Sequence, residues 1–148
     1  MGIGIPMEIQ ITFDANDPPS LAAFWAEALG YRLQPPPEGF GSWEAWEEAE
    51  GIPEERRSNW SAIVDPAEGR PRFYFQRVPE GKTAKNRVHL DVNVGGSPGT
   101  SLEERRERVK TEAGRLVALG AVEVRTAEEN GEYWSVMTDP EGNEFCLQ

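Results

Sequence analysis

NWSAIVDPAEG (residues 59–69) and YWSVMTDPEG (133–142) share the pattern W-S-x-x-x-D-P followed shortly by glycine, and this repeat decides the fold. Each copy predicts a β-strand that enters an Asp-Pro turn, where proline fixes φ and glycine permits a positive φ. Each turn leads into a further strand, RFYFQ (72–76) in the first copy and NEFCLQ (143–148) in the second. The sequence therefore predicts two matching β-hairpins.

A strand precedes each hairpin along the chain. MEIQITFDA (7–15) and NRVHLDVNV (86–94) both alternate apolar with polar residues, which is typical of a strand with one buried face. In the second stretch the predicted aliphatic face consists of Val88, Leu90, Val92 and Val94. The predicted polar face of that stretch consists of Arg87, His89, Asp91 and Asn93. The only histidine of the chain thus lies in a polar row.

A helix is predicted after each of these strands. Asp17 can cap the first helix, which we expect to end near Gly30. Its apolar face would consist of Leu21, Phe24, Trp25 and Ala28. Ser101 can cap a longer helix that ends at Gly120. The apolar stripe of that helix would consist of Leu102, Val109, Ala113, Leu116 and Val117. A strand begins after each glycine, so the order strand, helix, three strands occurs twice.

Strands with one apolar and one polar face indicate the α+β class, with helices on one side of a sheet. We expect residues 1–148 to form a single domain of two tandem βαβββ modules, at about 7–78 and 86–148. Their curved, partly open mixed sheet would surround a cavity. Polar side chains from the first and last strands would face it: Gln10, Thr12, Asp14, Tyr74, Gln76, His89, Asp91, Asn93, Glu144, Cys146 and Gln148. Such a concave surface is where a ligand is expected.

The composition restricts the classes of function. The net charge of -11 argues against nucleic acid and anionic lipid as partners, because both are bound largely through positive charge. No apolar run approaches the roughly 18 residues of a membrane helix. The N-terminal MGIGIPM lacks the features of a secretion signal, so we expect a cytoplasmic protein. Six basic residues precede His89 and could attract an anionic ligand: Arg70, Arg72, Arg77, Lys82, Lys85 and Arg87.

An insertion, PPPEGFGSWEAWEEAEGIPEE (35–55), interrupts the first module. It predicts a short helix at about 42–50, capped by Ser42, with Trp43 and Trp46 on one side. The predicted solvated face consists of Glu44, Glu47, Glu48 and Glu50. Two interpretations are open: the tryptophans dock on the protein, or they form a lid over the cavity.

Two βαβββ modules with these turns resemble the vicinal oxygen chelate (VOC) superfamily, which includes glyoxalases, ring-cleaving dioxygenases and bleomycin-resistance proteins. DPEGNEFCLQ (139–148) resembles the closing motif of the superfamily, and FDANDPPSLAAFWAEALGY (13–31) its opening motif. PEGKTAKNRVHLDV (79–92) is similar to a glyoxalase-like subgroup common in actinobacteria. We also expect that the chain can form a homodimer.

In metal-dependent members of this superfamily, one residue from the first and last strand of each module binds a divalent ion. By motif position these residues are Gln10, Tyr74, His89 and Cys146. A phenol and a thiol replace the usual carboxylates and are largely neutral near pH 7. Asp91 and Glu144 are predicted on the same strand face as His89 and Cys146. Each is expected about two residues, or roughly 7 Å, along its strand from the ligand position. We therefore expect no cofactor and no tightly bound metal; a divalent metal, if bound, would take Gln10, His89 and Glu144 or Cys146.

The leading interpretation is a protein that binds a small organic molecule in the sheet cavity, as a lyase or isomerase. His89 would act as acid or base. The substrate-binding residues would be Gln10, Tyr74, Arg87, Asp91, Trp43, Trp46 and Cys146. Arg87 and Asp91 could equally be partners of each other within the structure. An alternative is a non-catalytic sequestering protein, resembling bleomycin-resistance members, whose tryptophans and acidic charge suit a cationic aromatic ligand. A third is a filled cavity, with the domain acting through protein contacts.

Overall fold

The computed structural model describes residues 7–148. The first six residues, MGIGIP, belong to the stretch that is not expected to be a secretion signal, and that expectation concerns residues outside the described range. The chain divides into two compact units, a first unit that ends at Glu80 and a second unit that begins at Gly81. Among residues 7–148, every helix is too short or too polar to cross a membrane.

Each unit is a four-stranded mixed sheet with a helix between its first two strands. The first unit consists of β1 (Ile11–Ala15), α1 (Pro18–Leu29), β2 (Arg32–Leu33), α2 (Trp43–Ala49), a 3-10 turn (Glu54–Arg56), β3 (Trp60–Val64) and β4 (Phe73–Arg77). The second unit consists of β5 (Leu90–Val92), α3 (Leu102–Ala118), β6 (Val122–Glu129), β7 (Glu132–Thr138) and β8 (Glu144–Leu147). The α+β prediction is confirmed.

The strand orders confirm the duplication. They are β1-β4-β3-β2 in the first sheet and β5-β8-β7-β6 in the second, and in each sheet only the first pair is parallel. Ala62 pairs with Tyr74 in the first sheet, and Val136 pairs with Cys146 at the equivalent place in the second. Trp60 and Trp134 lie half-buried on the equivalent strands β3 and β7.

The predicted helix caps are also confirmed. The Asp17 carboxylate accepts the Ser20 backbone N–H at 3.3 Å, and Gly30 ends α1 with a φ of 65°. Ser101 and Glu104 form a reciprocal capping box at the start of α3. These bonds satisfy backbone donors that the first helical turn leaves without partners.

Each helix packs its apolar face on its own sheet. In the first unit Trp25 stacks on Phe13 with 5.4 Å between ring centroids, and Phe13 stacks on Phe75 at 5.4 Å. The second unit buries Val109, Ala113, Leu116, Met137, Phe145 and Leu147. Burial of each large apolar side chain stabilises the fold by roughly 1.5–3 kcal/mol. Val117 is exposed, contrary to the prediction, because the buried stripe of α3 is narrower than the sequence pattern suggests.

The aspartates of the repeated W-S-x-x-x-D-P pattern hold the two turns. Both Asp65 and Asp139 are buried. The Asp65 carboxylate accepts the backbone N–H groups of Ala67, Gly69 and Arg70 at 2.9–3.1 Å. The Asp139 carboxylate accepts those of Glu141 and Asn143 at 2.9 and 3.0 Å. The repeat is therefore a structural motif that fixes the path between two paired strands.

The strand predicted at 86–94 is shorter in the structure. Only Leu90–Val92 pairs as β5, and Val88, expected on the buried face, is 82% exposed. Asn86 explains the difference, because its side chain donates to the Val88 carbonyl while its backbone N–H donates to the Glu144 carboxylate. Local side-chain bonds of this kind compete with strand pairing.

Candidate functional site

His89, Asp91 and Cys146 form a cluster on the second unit. Strands β5 and β8 are parallel neighbours, and their register places Asp91 directly beside Cys146. His89 lies one residue before β5, and its Nδ1 is 3.1 Å from Asp91 Oδ1. One donor atom from each of the three residues lies within 4.8 Å of the others. The structure therefore brings together an imidazole, a carboxylate and a thiol.

Asp91 occupies a different place from the one the sequence suggested. It was expected roughly 7 Å from the site, yet its carboxylate is inside the cluster. The reason is the register, since Asp91 is the residue of β5 opposite Cys146. Glu144 instead pairs with Lys85 at 2.8 Å, and this hydrogen bond lowers the pKa of the Glu144 carboxyl below its usual range.

Arg87 does not lie on a strand, so its predicted position on the same strand face as His89 is wrong. It occupies an exposed bend before β5. Asp91, which sequence reasoning could also pair with Arg87, pairs with His89. Contact of Arg87 with a substrate stays a prediction.

Arg125 contributes to the cluster's cleft, and sequence reasoning missed it. Without an irregularity, Glu123 and Arg125 would lie on the same face of β6. A β-bulge between them places Glu123 opposite Met137 and Arg125 opposite Val136. The bulge thus moves Arg125 to the face that carries Cys146, which pairs with the same Val136. No residue type in VEVRTAEE marks the bulge in advance.

The cluster opens into a cleft of about 370 Å³ on the second unit. Trp134 and Val136 provide its apolar wall, and Lys85 and Arg125 provide positive charge. Burial, together with the nearby Asp91 carboxylate, raises the pKa of the Cys146 thiol. Because an unperturbed thiol already titrates above neutrality, Cys146 is protonated at neutral pH.

Gln10 and Tyr74 lie on the first unit, where both contact Arg72. The Arg72 guanidinium donates to Gln10 Oε1 at 2.6 Å and to Gln34 Oε1 at 2.7 Å. It also lies over the Tyr74 ring, 5.4 Å from the centroid. The sequence analysis identified Arg72 only as part of a basic run. Tyr74 additionally stacks on Trp60, with 5.9 Å between ring centroids.

The inserted helix α2 packs on the first unit through its tryptophans. The Trp43 indole N–H donates to the Gln34 carbonyl at 2.8 Å, and its ring meets Trp60 edge to face at 4.6 Å. Trp46 contacts the Trp43 ring edge to face at 5.4 Å. Glu47 is only 5% exposed, so its predicted place on a solvated face is wrong. It lies four residues after Trp43, and residues with this spacing share a helix face.

The fold and these surfaces define the chain as a VOC-type α+β protein with polar clefts on its sheets. The sequence profile described as "Glyoxalase-like domain" matches residues 10–148. The chain therefore belongs to this glyoxalase-like family, within the VOC superfamily. No curated protein gives a significant sequence match. The narrower resemblance to an actinobacterial subgroup stays a prediction.

Solved structures show the same fold at low sequence identity. One is a glyoxalase/bleomycin resistance protein/dioxygenase family enzyme from Burkholderia phytofirmans PsJN, with 16% identity, a TM-score of 0.57 and coverage of 95% of this chain and 94% of that one. Another is a variant of the fosfomycin resistance protein FosX from Listeria monocytogenes, complexed with Mn(II) and 1S,2S-dihydroxypropylphosphonic acid. Its sequence identity is 15% and its TM-score is 0.59, with coverage of 100% of this chain and 92% of that one. A third is the bleomycin-binding protein of Streptomyces verticillus, complexed with copper(II)-bleomycin. Its sequence identity is 13% and its TM-score is 0.52, with coverage of 99% of this chain and 98% of that one.

Proposed function

We propose that the cleft of the second unit binds a small organic molecule with an anionic group, and that His89 moves a proton on it in a lyase or isomerase reaction. The observation that carries this proposal is the 3.1 Å contact between His89 Nδ1 and Asp91 Oδ1 in the cleft that also contains Arg125. A carboxylate bonded to one imidazole nitrogen fixes the ring and its tautomer, so the other nitrogen is the one that exchanges a proton with a ligand.

The positive charges of the cleft support an anionic ligand. Lys85 is neutralised in part by Glu144, whereas Arg125 has no ion-pair partner among residues 7–148. A guanidinium can hold a carboxylate through two parallel hydrogen bonds. With the ligand held there, His89 Nε2 takes a proton from carbon and returns it to a neighbouring atom, which is an isomerisation. Departure of a leaving group after the proton is removed is a lyase reaction.

The donor set tests whether a metal suits this cleft. One imidazole, one carboxylate and one thiol are suited in kind to an ion of the zinc class and poorly suited to a hard ion such as Mn(II). When bound to His89, Asp91 and Cys146, such an ion would supply Lewis-acid polarisation of a substrate oxygen. We propose that binding is weak, because the Cys146 thiol must first lose a proton that its raised pKa retains.

Deuterium exchange tests the proton transfer. The protein is incubated in D₂O with each of three small acids, pyruvate, lactate and malate, and carbon-bound deuterium is measured by NMR. We expect His89→Ala to reduce exchange roughly 100-fold while Arg125→Ala raises the apparent Kd about tenfold. Lys110→Ala is the control, since Lys110 is an exposed residue of α3 that does not line the cleft. Exchange that survives in His89→Ala contradicts the proposed role.

A sequestering function is the second candidate, and the tryptophans of α2 and β3 favour it. Trp43, Trp46 and Trp60 form a continuous edge-to-face aromatic surface, and such surfaces bind organic molecules without reacting with them. A ligand that binds and is recovered unaltered, with no deuterium incorporated, supports this candidate over the lyase or isomerase.

We also propose that the chain works as a single-domain cytoplasmic protein and forms a homodimer. Val122 and Val124 support the dimer, since both are more than half exposed on β6, the edge strand of the second sheet. Sedimentation of the protein and of Val124→Lys tests it: we expect the substitution to weaken association. A monomer at all concentrations contradicts this part of the proposal.

A further inference from the structure

We propose that the first unit carries a second binding site, for a small organic cation, in a cavity between helix α2 and the edge of strand β3. The cavity measures about 180 Å³ and is distinct from the cleft of the second unit. The site uses no residue of the His89 cluster, and it rests on the second candidate function, because Trp43 and Trp60 of that aromatic surface line the cavity.

The short strand β2 leaves room for this cavity. It pairs with β3 only at Val64 and Ile63, so the edge of β3 from Trp60 to Ala62 lies beyond its end. The backbone N–H of Gln34 satisfies the Ala62 carbonyl at 2.9 Å. Helix α2 lies on the other side of the opening, with Trp43 and Glu47 lining it.

Glu47 supplies the argument for a cation. Its side chain lines the cavity although the residue is 5% exposed. Within residues 7–148 no hydrogen bond or ion pair reaches its carboxylate. Its carboxylate oxygens keep some contact with water, because among residues 7–148 only Asn86 Oδ1 is a fully buried side-chain oxygen or nitrogen without a partner. A largely buried carboxylate without a partner still loses most of its hydration, and a bound cation would replace that hydration. An ammonium group in the cavity would provide both the opposite charge and the hydrogen-bond donors that Glu47 lacks.

The other residues that line the cavity also suit a cation, both in their charge and in their aromatic surface. Glu44 adds a second carboxylate, and no lysine or arginine is present among the described residues that line the cavity. Trp43 and Trp60 provide aromatic walls, and Trp43 is fixed by its indole bond to Gln34. Aromatic faces attract cations most strongly where water is excluded.

The volume limits the ligand to a small one. The cavity provides about 180 Å³ for a ligand, several times the roughly 30 Å³ that one water molecule occupies in the liquid. A primary alkylammonium of four or five carbon atoms fits this space, with the ammonium beside Glu47 and the alkyl chain along the tryptophans. A polyamine or a peptide would fit only through one such end.

The test uses n-butylammonium as the probe and 1-butanol as its neutral counterpart. Binding of each is measured by tryptophan fluorescence and by calorimetry. We expect saturable binding of the ammonium and at least tenfold weaker binding of butanol. Glu47→Gln should reduce ammonium affinity about tenfold or more and leave butanol binding unchanged. Glu48→Gln, an exposed glutamate of the same helix that does not line the cavity, is the matched control and should change affinity less than twofold.

The melting temperature, Tm, of the wild type and of Glu47→Gln provides a second, independent test. Because Glu47→Gln replaces a largely buried carboxylate, which has no partner among residues 7–148, with a neutral amide, we expect it to raise the Tm of the ligand-free protein. Butylammonium should raise the Tm of the wild type but not of the variant. Absence of saturable ammonium binding, equal affinities in Glu47→Gln and wild type, or a Tm lowered by Glu47→Gln would overturn the proposal. His89→Ala should leave ammonium binding intact, so failure of this site and failure of the proposed function are distinguishable.

Discussion

The two units share a strand order but place different chemistry at equivalent positions. In the first unit, Gln10 and Tyr74 both contact Arg72, which leaves a network of neutral and positive groups. In the second unit the equivalent positions are His89 and Cys146, and Asp91 joins them. Equivalent backbone positions therefore do not imply equivalent function. The duplication supplies the scaffold, and the side chains on its open faces decide that only the second unit carries the imidazole, carboxylate and thiol cluster.

The turns of the repeat show the same contrast on a smaller scale. Asp65 bonds three backbone N–H groups and forms an ion pair with Arg70 at 3.0 Å. Asp139 bonds backbone N–H groups and the neutral Asn143 side chain instead. The hydrogen bond from Arg70 lowers the pKa of the Asp65 carboxyl well below its usual range. The first turn thus contains an ion pair with Arg70, and the second contains hydrogen bonds from the amide of Asn143.

The largest effect should come from removing the aspartate of either turn. Asp139→Ala leaves the backbone donors of Glu141 and Asn143 without their acceptor. We expect a loss of about 2–4 kcal/mol in the free energy of unfolding, measured by urea denaturation. Asp65→Ala should lower the free energy of unfolding by a similar amount, because its carboxylate also accepts several backbone N–H groups of its turn. A loss below about 0.5 kcal/mol in either variant would contradict the structural role of the repeat.

A smaller effect should separate the turns by pH. The folded-state pKa of Asp65 is lowered from its ordinary value of 3.8, so its contribution is present above that value and is lost as pH falls below it. Arg70→Ala removes the main cause of the lowered pKa. The acid unfolding midpoint should therefore move to higher pH, and it should move further than in Asn143→Ala, which removes hydrogen bonds but no positive charge from the other turn. Acid titrations followed by circular dichroism provide the measurement, and equal shifts in both variants would remove the distinction between the turns.

The smallest effect concerns the thiol of the second unit. Asp91 contributes to the raised pKa of Cys146, so Asp91→Asn should lower that pKa and increase the thiolate fraction. We expect alkylation by iodoacetamide at pH 8 to become roughly threefold faster. Thr12→Ala, at the equivalent position of the first module, should leave the rate unchanged. A slower reaction in Asp91→Asn would show that the carboxylate acts on Cys146 in another way.

The periodic features of the sequence were sufficient for the fold. Caps at Asp17 and Ser101 and the buried stripe of α3 depend on residues within a few positions of each other. The hairpins likewise follow from a local pattern, because an Asp-Pro turn is built from its own backbone and side chains. Each of these features is determined by residues that lie close to it in the chain. The helices and hairpins were predicted at nearly the bounds that the structure shows. The strands predicted at 7–15 and 86–94 are shorter, since only Ile11–Ala15 and Leu90–Val92 pair.

The candidate sites were predicted less completely, because they depend on contacts between distant segments. Arg125 reaches the cleft only through the bulge in β6, and the bulge follows from pairing with β7. Asp91 reaches Cys146 through the register of two strands that lie more than fifty residues apart in the chain. The spacing of Glu47 from Trp43 indicates a shared helix face, but glutamate is seldom buried, so the residue type favours a solvated position.

The sequence by itself determined the two βαβββ modules, their helix caps and the aspartate-centred turns, because each depends on local periodicity and local hydrogen bonds. Tertiary structure decided which side chains meet. Strand register joined Asp91 to Cys146, and a β-bulge moved Arg125 to the same face. The packing of α2 buried Glu47 in the lining of a small cavity. The physical reason is that a one-residue change in register or count moves a strand side chain to the opposite face of the sheet, and only long-range pairing fixes that choice.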